Sequence, residues 1–258
     1  MALDNLQTLI DRLRESAEAP AVIAFGAERP ETWSRGDLGQ TACRFAAGLV
    51  RHGVADQEVI GLLGPNRPEW IAALLGIVGA GAIAMPLPEQ MTDHELGRVI
   101  AHSRCRRMVT TGKRAKSFAA LDLADDFEVI VLDEPPDGIE GVVLRPWAEL
   151  LEDEPGDLPK PGGDRLAVLL YTSGTTGTPK GVPLSHGNLC ANFHALLDAG
   201  LAETGDRLFL PLPLHHTYPL TVGVLAPLAL GAPIMLPAGI TGPQIMAALR
   251  EGDRKSVV

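Results

Sequence analysis

Residues 171–181 read YTSGTTGTPKG, a run of hydroxyls and glycines that ends on a lysine. Such a run suits the holding of phosphate. Gly174 and Gly177 admit positive φ and let the backbone come close to a ligand. Thr172, Ser173, Thr175, Thr176 and Thr178 add hydroxyl donors to the backbone N–H groups, and Lys180 adds a mobile positive charge. Together these are the parts of an anion cradle. A Walker A loop is a poor match, because it needs four residues between its glycines and then Gly-Lys-Ser/Thr. Here two residues separate Gly174 from Gly177, and Pro179 and Gly181 flank Lys180. A P-loop kinase or NTPase is disfavoured on that spacing. A plain flexible linker is disfavoured too, since the apolar run Leu166 to Leu170 reads as a buried strand leading straight into the loop.

A second candidate site lies at residues 211–220, PLPLHHTYPL. Its adjacent histidines, His215 and His216, could orient an anionic group by hydrogen bonding. A histidine pair alone is a weak motif, and it reads equally well as a turn at the end of a strand. No third ligand stands out beside the pair, so a metal site is not expected.

The loop residues carry a resemblance. Residues 171–182 match the pattern Tyr-Thr-Ser-Gly-Thr-Thr-Gly-x-Pro-Lys-Gly-Val, and the chain resembles the adenylate-forming acyl- and aryl-CoA synthetase superfamily. The resemblance implies a two-step reaction. A carboxylate is joined to AMP with loss of pyrophosphate, and a thiol, usually that of coenzyme A, then displaces AMP. Both partners of the first step are anionic, so the site must neutralise the triphosphate and hold the carboxylate in line with the α-phosphorus. The resemblance implies that residues 172–180 bind the β- and γ-phosphates of ATP, with magnesium bridging phosphate oxygens. It implies that His216 stands beside the carboxylate and α-phosphate, with His215 at a position where the family commonly has an aromatic residue. Ser185-His-Gly-Asn188 resembles the family's helix start after the loop, and His186 reads as structural there, a capping residue. Tyr218, Thr221 and Gly223 are candidate lining of the acyl site.

These residues need rigid elements behind them. Leu6, Leu9, Ile10 and Leu13 suggest an amphipathic helix. Ser34 and Thr92 are candidate N-caps. Helices are expected from the Ser34 region to near Gly53, from Glu69 to Val78, from Thr92 towards His102, from Ser185 through Leu197, and from Thr221 to Leu230. Strands are expected at residues 59–63, 83–86, 107–110, 129–132, 166–170, 207–211 and 233–236. Asp37, Glu69 and Glu95 read as solvated helix-face residues. This alternation predicts an α/β fold of two mostly parallel sheets flanked by helices, layered αβαβα, as in the N-terminal portion of the large adenylate-forming domain. Residues 133–163 are rich in Pro, Gly and acids; the part around residues 142–151 is expected to pack, with Trp147 as an anchor, and the rest reads as connector. A composition boundary there suggests subdomains 1–160 and 161–258.

The 258 residues, 46% hydrophobic, suffice for real cores. A net charge of −10 disfavours nucleic acid and anionic membranes as partners. Residues 70–88 and 208–248 lack charged side chains. Gly76, Gly79, Gly81 and Pro86 interrupt the first, and Pro211, Pro213, Pro219, Pro227, Pro233 and Pro237 the second, so both read as soluble core and no membrane span is expected. Cys43, Cys105 and Cys190 are scattered without metal or disulfide spacing, and the start of the chain lacks a signal-peptide pattern; a reducing cytoplasmic setting fits both.

The family's later motifs are absent from these residues: Tyr-Gly-x-Thr-Glu, Thr-Gly-Asp, the Arg-containing hinge and the small domain with its catalytic lysine. The expectation is an N-terminal fragment of an acid–thiol ligase that is inactive alone. The alternative is a non-catalytic nucleotide-binding or assembly module, pairing with another chain or dimerising through surface exposed by truncation. The histidine pair and its apolar surroundings favour a fatty or other apolar acid over an amino acid.

Overall fold

Short polar signals set the helix starts, and apolar runs set the strands between them. In the computed structural model the chain runs α1 (Leu6–Glu15), β1 (Pro20–Ala24), β2 (Glu31–Ser34), α2 (Arg35–Arg51), β3 (Val59–Leu63), α3 (Pro68–Gly79), β4 (Ile83–Leu87) and α4 (Asp93–Ser103). It continues with β5 (Arg107–Thr110), α5 (Gly112–Ala115), a 3₁₀ turn (Lys116–Ala120), β6 (Glu128–Val131), β7 (Val143–Pro146) and α6 (Trp147–Leu150). Then follow β8 (Leu166–Thr172), β9 (Lys180–Ser185), α7 (His186–Asp198), β10 (Arg207–Phe209), a π-helical segment (Pro219–Leu225), α8 (Ala226–Leu230), β11 (Ile234–Leu236), α9 (Gly242–Glu251) and β12 (Ser256–Val257). The structure describes residues 3–26, 29–152, 154–156, 158–172, 179–200, 203, 205–239, 241–251 and 256–257.

Among the described residues the strands form two sheets. One has the order β7-β6-β5-β3-β4-β8-β9, the other β12-β10-β11-β1-β2. All neighbours are parallel except the β8–β9 and β1–β2 pairs. The sheets interleave along the chain: β1 lies beside β11, with Val22 opposite Ile234, while β8 lies beside β4.

The side-chain clusters define the layers. The largest core joins α1, α2, α3, α7 and α8 to Ile60, Leu62, Val109 and Ile130 of one sheet and to Val22, Ile234 and Leu236 of the other. Alternate residues of the larger sheet, Leu63, Met108, Val129 and Val131, face outward onto α4 and Phe118. Met235 and Phe209 face outward onto Ala248 of α9. Period-two alternation thus gives each sheet two covered faces, and the order of layers is αβαβα as expected.

The capping expectations hold, with a refinement. Ser34 and Thr92 both cap their helices, and Asp37 and Glu95, expected as merely solvated, complete reciprocal capping boxes. Glu69 instead pairs with Arg67 through two 2.8 Å hydrogen bonds and is half-buried. Gly76 and Gly79 do not interrupt the apolar stretch as expected; both lie inside α3. A Cβ on Gly76 would meet Phe45 at 2.7 Å and the Ala42 carbonyl at 2.8 Å, so glycine there lets α2 and α3 close up. No helix among the described residues is long and apolar enough to cross a membrane. Trp147 is buried with its ring 4.1 Å from that of Phe45, anchoring the connector.

His186 caps a helix, though not its own. Ser185 and Asn188 cap α7, while His186 Nδ1 accepts the N–H of Leu6, 3.2 Å away, at the start of α1. Eight residues further on, His194 Nε2 stands 2.9 Å from the Leu3 N–H. Two histidines of α7 therefore hold the beginning of the chain.

Burial pushes the His186 imidazole down to about 4. Its folded-state value lies below its unfolded one, so the unfolded state binds the extra proton. Stability is then full above about pH 6.5 and is lost as pH falls through 4, by at most ~3 kcal/mol. Urea denaturation from pH 7.5 to 4 should show this slope, and His186→Gln should flatten it. Equal slopes in the two proteins would show that His186 does not carry the effect.

Candidate functional site

The phosphate-binding candidate is built on a hairpin, not on a strand-to-helix turn. β8 runs antiparallel into β9, with Tyr171 opposite Gly181 and Thr172 opposite Lys180. Thr172 and Lys180 face each other across the base of the turn, and both are exposed. Ser173, Gly174, Thr175, Thr176, Gly177 and Thr178 lie outside the described residues. β9 is the edge strand of the seven-stranded sheet. Tyr171 ties the base to the body of the fold. Its hydroxyl lies 2.7 Å from His102 Nδ1 at the end of α4, and the two rings meet edge to face. Burial of Tyr171 pushes its phenol up, so it remains a neutral hydrogen-bonding group near pH 7.

A cleft of about 200 Å³ opens where the two sheets meet. Gly64, Pro65 and Asn66 enter it after β3, Glu89 and Gln90 after β4, Pro213 and His215 after β10, and Pro237–Gly239 after β11. Each of these strands contributes its carboxyl end, the edge where ligands sit in open parallel α/β sheets. β8 runs parallel to β4, so Thr172 lies at the same edge of the larger sheet.

The structure separates the two adjacent histidines. His215 is half-buried and lines the cleft, whereas His216 is exposed. Their ring centroids are 4.1 Å apart. Burial, and secondarily His216, push His215 down to about 4, so it enters the cleft neutral near pH 7. The turn that carries the pair is tied at both ends. His216 N–H reaches the Pro213 carbonyl at 3.4 Å, and Leu220 N–H donates to the His216 carbonyl at 3.0 Å. Thr221, expected as pocket lining, donates its hydroxyl to the Thr217 carbonyl at 2.8 Å. Gly223 is buried against Leu210, where a Cβ would stand 2.5 Å from a methyl. Both serve the backbone of the turn, while Tyr218 is 64% exposed.

Sequence reasoning passed over Asn66, Glu89 and Gln90. Their signal was position: each is polar and stands within three residues of the carboxyl end of a buried parallel strand. Asn66 also reaches across to the histidine turn, donating to the Leu212 carbonyl at 2.8 Å and accepting from the Leu214 N–H at 3.1 Å. Among the described residues no group of three or more His, Cys, Asp or Glu side chains could hold a metal. The described part therefore supplies no protein cage for magnesium.

Comparison with known proteins adds to this geometry. Residues 10–252 match the family model described as AMP-binding enzyme. The chain is 32% identical over 253 residues to a feruloyl-CoA synthase of an Amycolatopsis species, covering 96% of this chain and 47% of that protein. It thus spans about half the length of this curated relative. Among solved structures, a fatty acyl CoA synthetase of Mycobacterium tuberculosis superposes with TM-score 0.79 at 22% identity, covering 95% of this chain and 47% of the other. ATP-bound MatB of Rhodopseudomonas palustris superposes with TM-score 0.76 at 24% identity, covering 96% and 48%. These two likenesses concern the fold.

The partition of the histidines is measurable. Imidazole resonances followed by NMR against pH should give His215 a midpoint near 4. A midpoint near the ordinary ~6.5 would mean that its ring is solvated and does not enter the cleft.

Proposed function

The chain belongs to the AMP-binding enzyme family, and from that membership we propose that it is the N-terminal part of an ATP-dependent acid–thiol ligase. The observation that carries the reading is the match at residues 171–182 between β8 and β9, at the carboxyl-end edge of the sheet that also carries the cleft lined by His215. In the proposed first step a carboxylate oxygen of the acid bonds to the α-phosphorus of ATP. The bond from that phosphorus to the bridging oxygen breaks, and pyrophosphate leaves. No proton is abstracted, so the protein's work is charge neutralisation and alignment. Residues 172–178 and Lys180 take the β- and γ-phosphates, with Lys180 supplying the positive charge. His216 then orients the carboxylate against the α-phosphate, and the neutral His215 forms the adjoining wall. In the second step the thiol of coenzyme A gives up its proton to solvent and bonds through sulfur to the acyl carbon; the bond from that carbon to the phosphate oxygen breaks, and AMP leaves. Magnesium would contribute charge on the phosphates; among the described residues no group of three or more His, Cys, Asp or Glu side chains gathers to hold it.

The acid is of an apolar class. A feruloyl-CoA synthase and a fatty acyl CoA synthetase are among the proteins it resembles, and the histidine turn is backed by the buried Leu210, Leu214 and Leu220. A reducing cytoplasmic setting agrees with three buried, unpaired cysteines; burial raises all three thiols, Cys105 to about 12 and Cys190 to about 11. A second reading, a nucleotide-binding or assembly module without catalysis, draws on the half-length match to the relatives and on the exposed Leu212 and Tyr218 beside the site. Such a surface could also be covered by a second copy of the chain.

Calorimetric titration of the 258-residue chain with ATP and magnesium should give weak binding. Lys180→Ala should weaken it about tenfold or more, the value of a charge-assisted contact. Equal affinity in the two proteins would sink the phosphate assignment. Carboxylate-dependent ATP–pyrophosphate exchange should be absent for this chain alone; its appearance would overturn the view that the chain is incomplete as a catalyst.

A further inference from the structure

Residues 211–216 carry the histidine pair, yet little in their own backbone can fix them. Pro211 and Pro213 have no N–H to give, so the segment cannot continue the ladder of β10. The last sheet bond before it runs from Leu210 N–H to the Met235 carbonyl. Leu212 is exposed, and the first bond within the turn is the long His216–Pro213 contact. The gap between these two ties is spanned by one side chain from the other sheet. Asn66 donates to the Leu212 carbonyl and accepts from the Leu214 N–H, at 2.8 and 3.1 Å.

We propose that Asn66 is the positioning residue of the histidine pair: its amide grips residues 212 and 214 and so sets where His215 and His216 stand at the cleft. The chemistry of the two bonds selects this residue. One partner is a carbonyl and the other an N–H, so the clamp needs a donor and an acceptor side by side on a short stem, which is a carboxamide. Aspartate would keep the bond to Leu214 but lose the donor and face the Leu212 carbonyl with a charge. The same partner types also fix which way the amide points.

Asn66 is itself held firmly. It follows β3 by three residues and lies between Pro65 and Arg67; Arg67 is locked by its two bonds to Glu69, and Pro68 opens α3. A rigid turn of the seven-stranded sheet thus dictates the geometry of a turn belonging to the five-stranded sheet. Asn66 and His215 line the same cleft, with Glu89 as the acidic group facing it from the turn after β4. The role in positioning for catalysis rests on the function proposed above; the clamp itself does not.

The test compares the wild-type chain with Asn66→Ala, Asn66→Asp and Asn5→Ala. Asn5 caps α1 through the Thr8 N–H and serves as a control for loss of an amide hydrogen bond elsewhere. The NMR titration midpoint of His215 is the readout, because general destabilisation does not move it. Asn66→Ala should raise that midpoint by about one unit or more as the ring gains water, and Asn66→Asp should raise it as well. Asn5→Ala should leave it in place. An unmoved His215 in a folded Asn66→Ala or Asn66→Asp protein overturns the clamp, as does an equal movement in Asn5→Ala. A shifted His215 in a chain that binds no nucleotide upholds the clamp and counts against the ligase reading instead.

Discussion

One layer of helices must be apolar on two opposite sides, and the rest of this fold depends on it. α3 shows the demand most clearly: every residue from Pro68 to Gly79 is buried except Glu69. A helix apolar all round has no face to give to water. It is stable only with a sheet on each side and helices at its flanks. Gly76 allows that density, since α2 approaches so closely that a single methyl would strike Phe45 and the Ala42 carbonyl. Because the layer is shared, the two sheets lean on the same core. Their carboxyl edges are thereby brought together, and the cleft exists for that reason.

Where packing brings the sheets close, side-chain amides make the join specific. Asn66 bonds across to Leu212 and Leu214. Within the larger sheet Gln57, held at positive φ, makes the same kind of clamp on the start of β8, accepting from the Leu166 N–H at 3.1 Å and donating to its carbonyl at 3.0 Å. Each amide offers both halves of a backbone hydrogen bond to a strand end that the ladder leaves unserved. At the opposite, amino-end edge of the larger sheet, Arg107 pairs with Glu58 and Glu128, and Arg145 with Glu128 and Glu149. The amino-end edge is thus laced by ion pairs, whereas the carboxyl-end edge carries the cleft.

Much of this was legible because local signals agreed with the fold. The strands at 59–63, 83–87 and 107–110 are short apolar runs with turn residues on either side, and the caps at Ser34, Thr92 and Ser185 mark helix starts within a residue. The phosphate-binding candidate was visible from its string alone. β1, β2, β7, β9 and β12 were not read. β1 owes its parallel pairing to β11, some 200 residues away, and no local pattern encodes such a partner; β2 in turn pairs with β1. β9 carries Pro183, which argues against a strand unless that strand is an edge, as β9 is. His215 was read as the neighbour of the more important histidine. Which of two adjacent side chains turns into a cleft is decided by the turn that holds them, and here that turn is set by an amide 146 to 148 residues earlier.

The pairing of β1 with β11 bears on how the chain is made. Val22 leaves the ribosome 212 residues before its partner Ile234, which at about 5–20 residues per second is roughly 10 to 40 s of synthesis. His186 and His194, which receive the first backbone donors of the chain, arrive almost as late. Throughout that interval β2 can pair one edge of β1 and α2 can pack on α1, but the other edge of β1 has no native partner. That edge is a bare row of backbone donors and acceptors until β11 emerges, and it is the place where a nascent chain of this fold is most open to pairing with another chain.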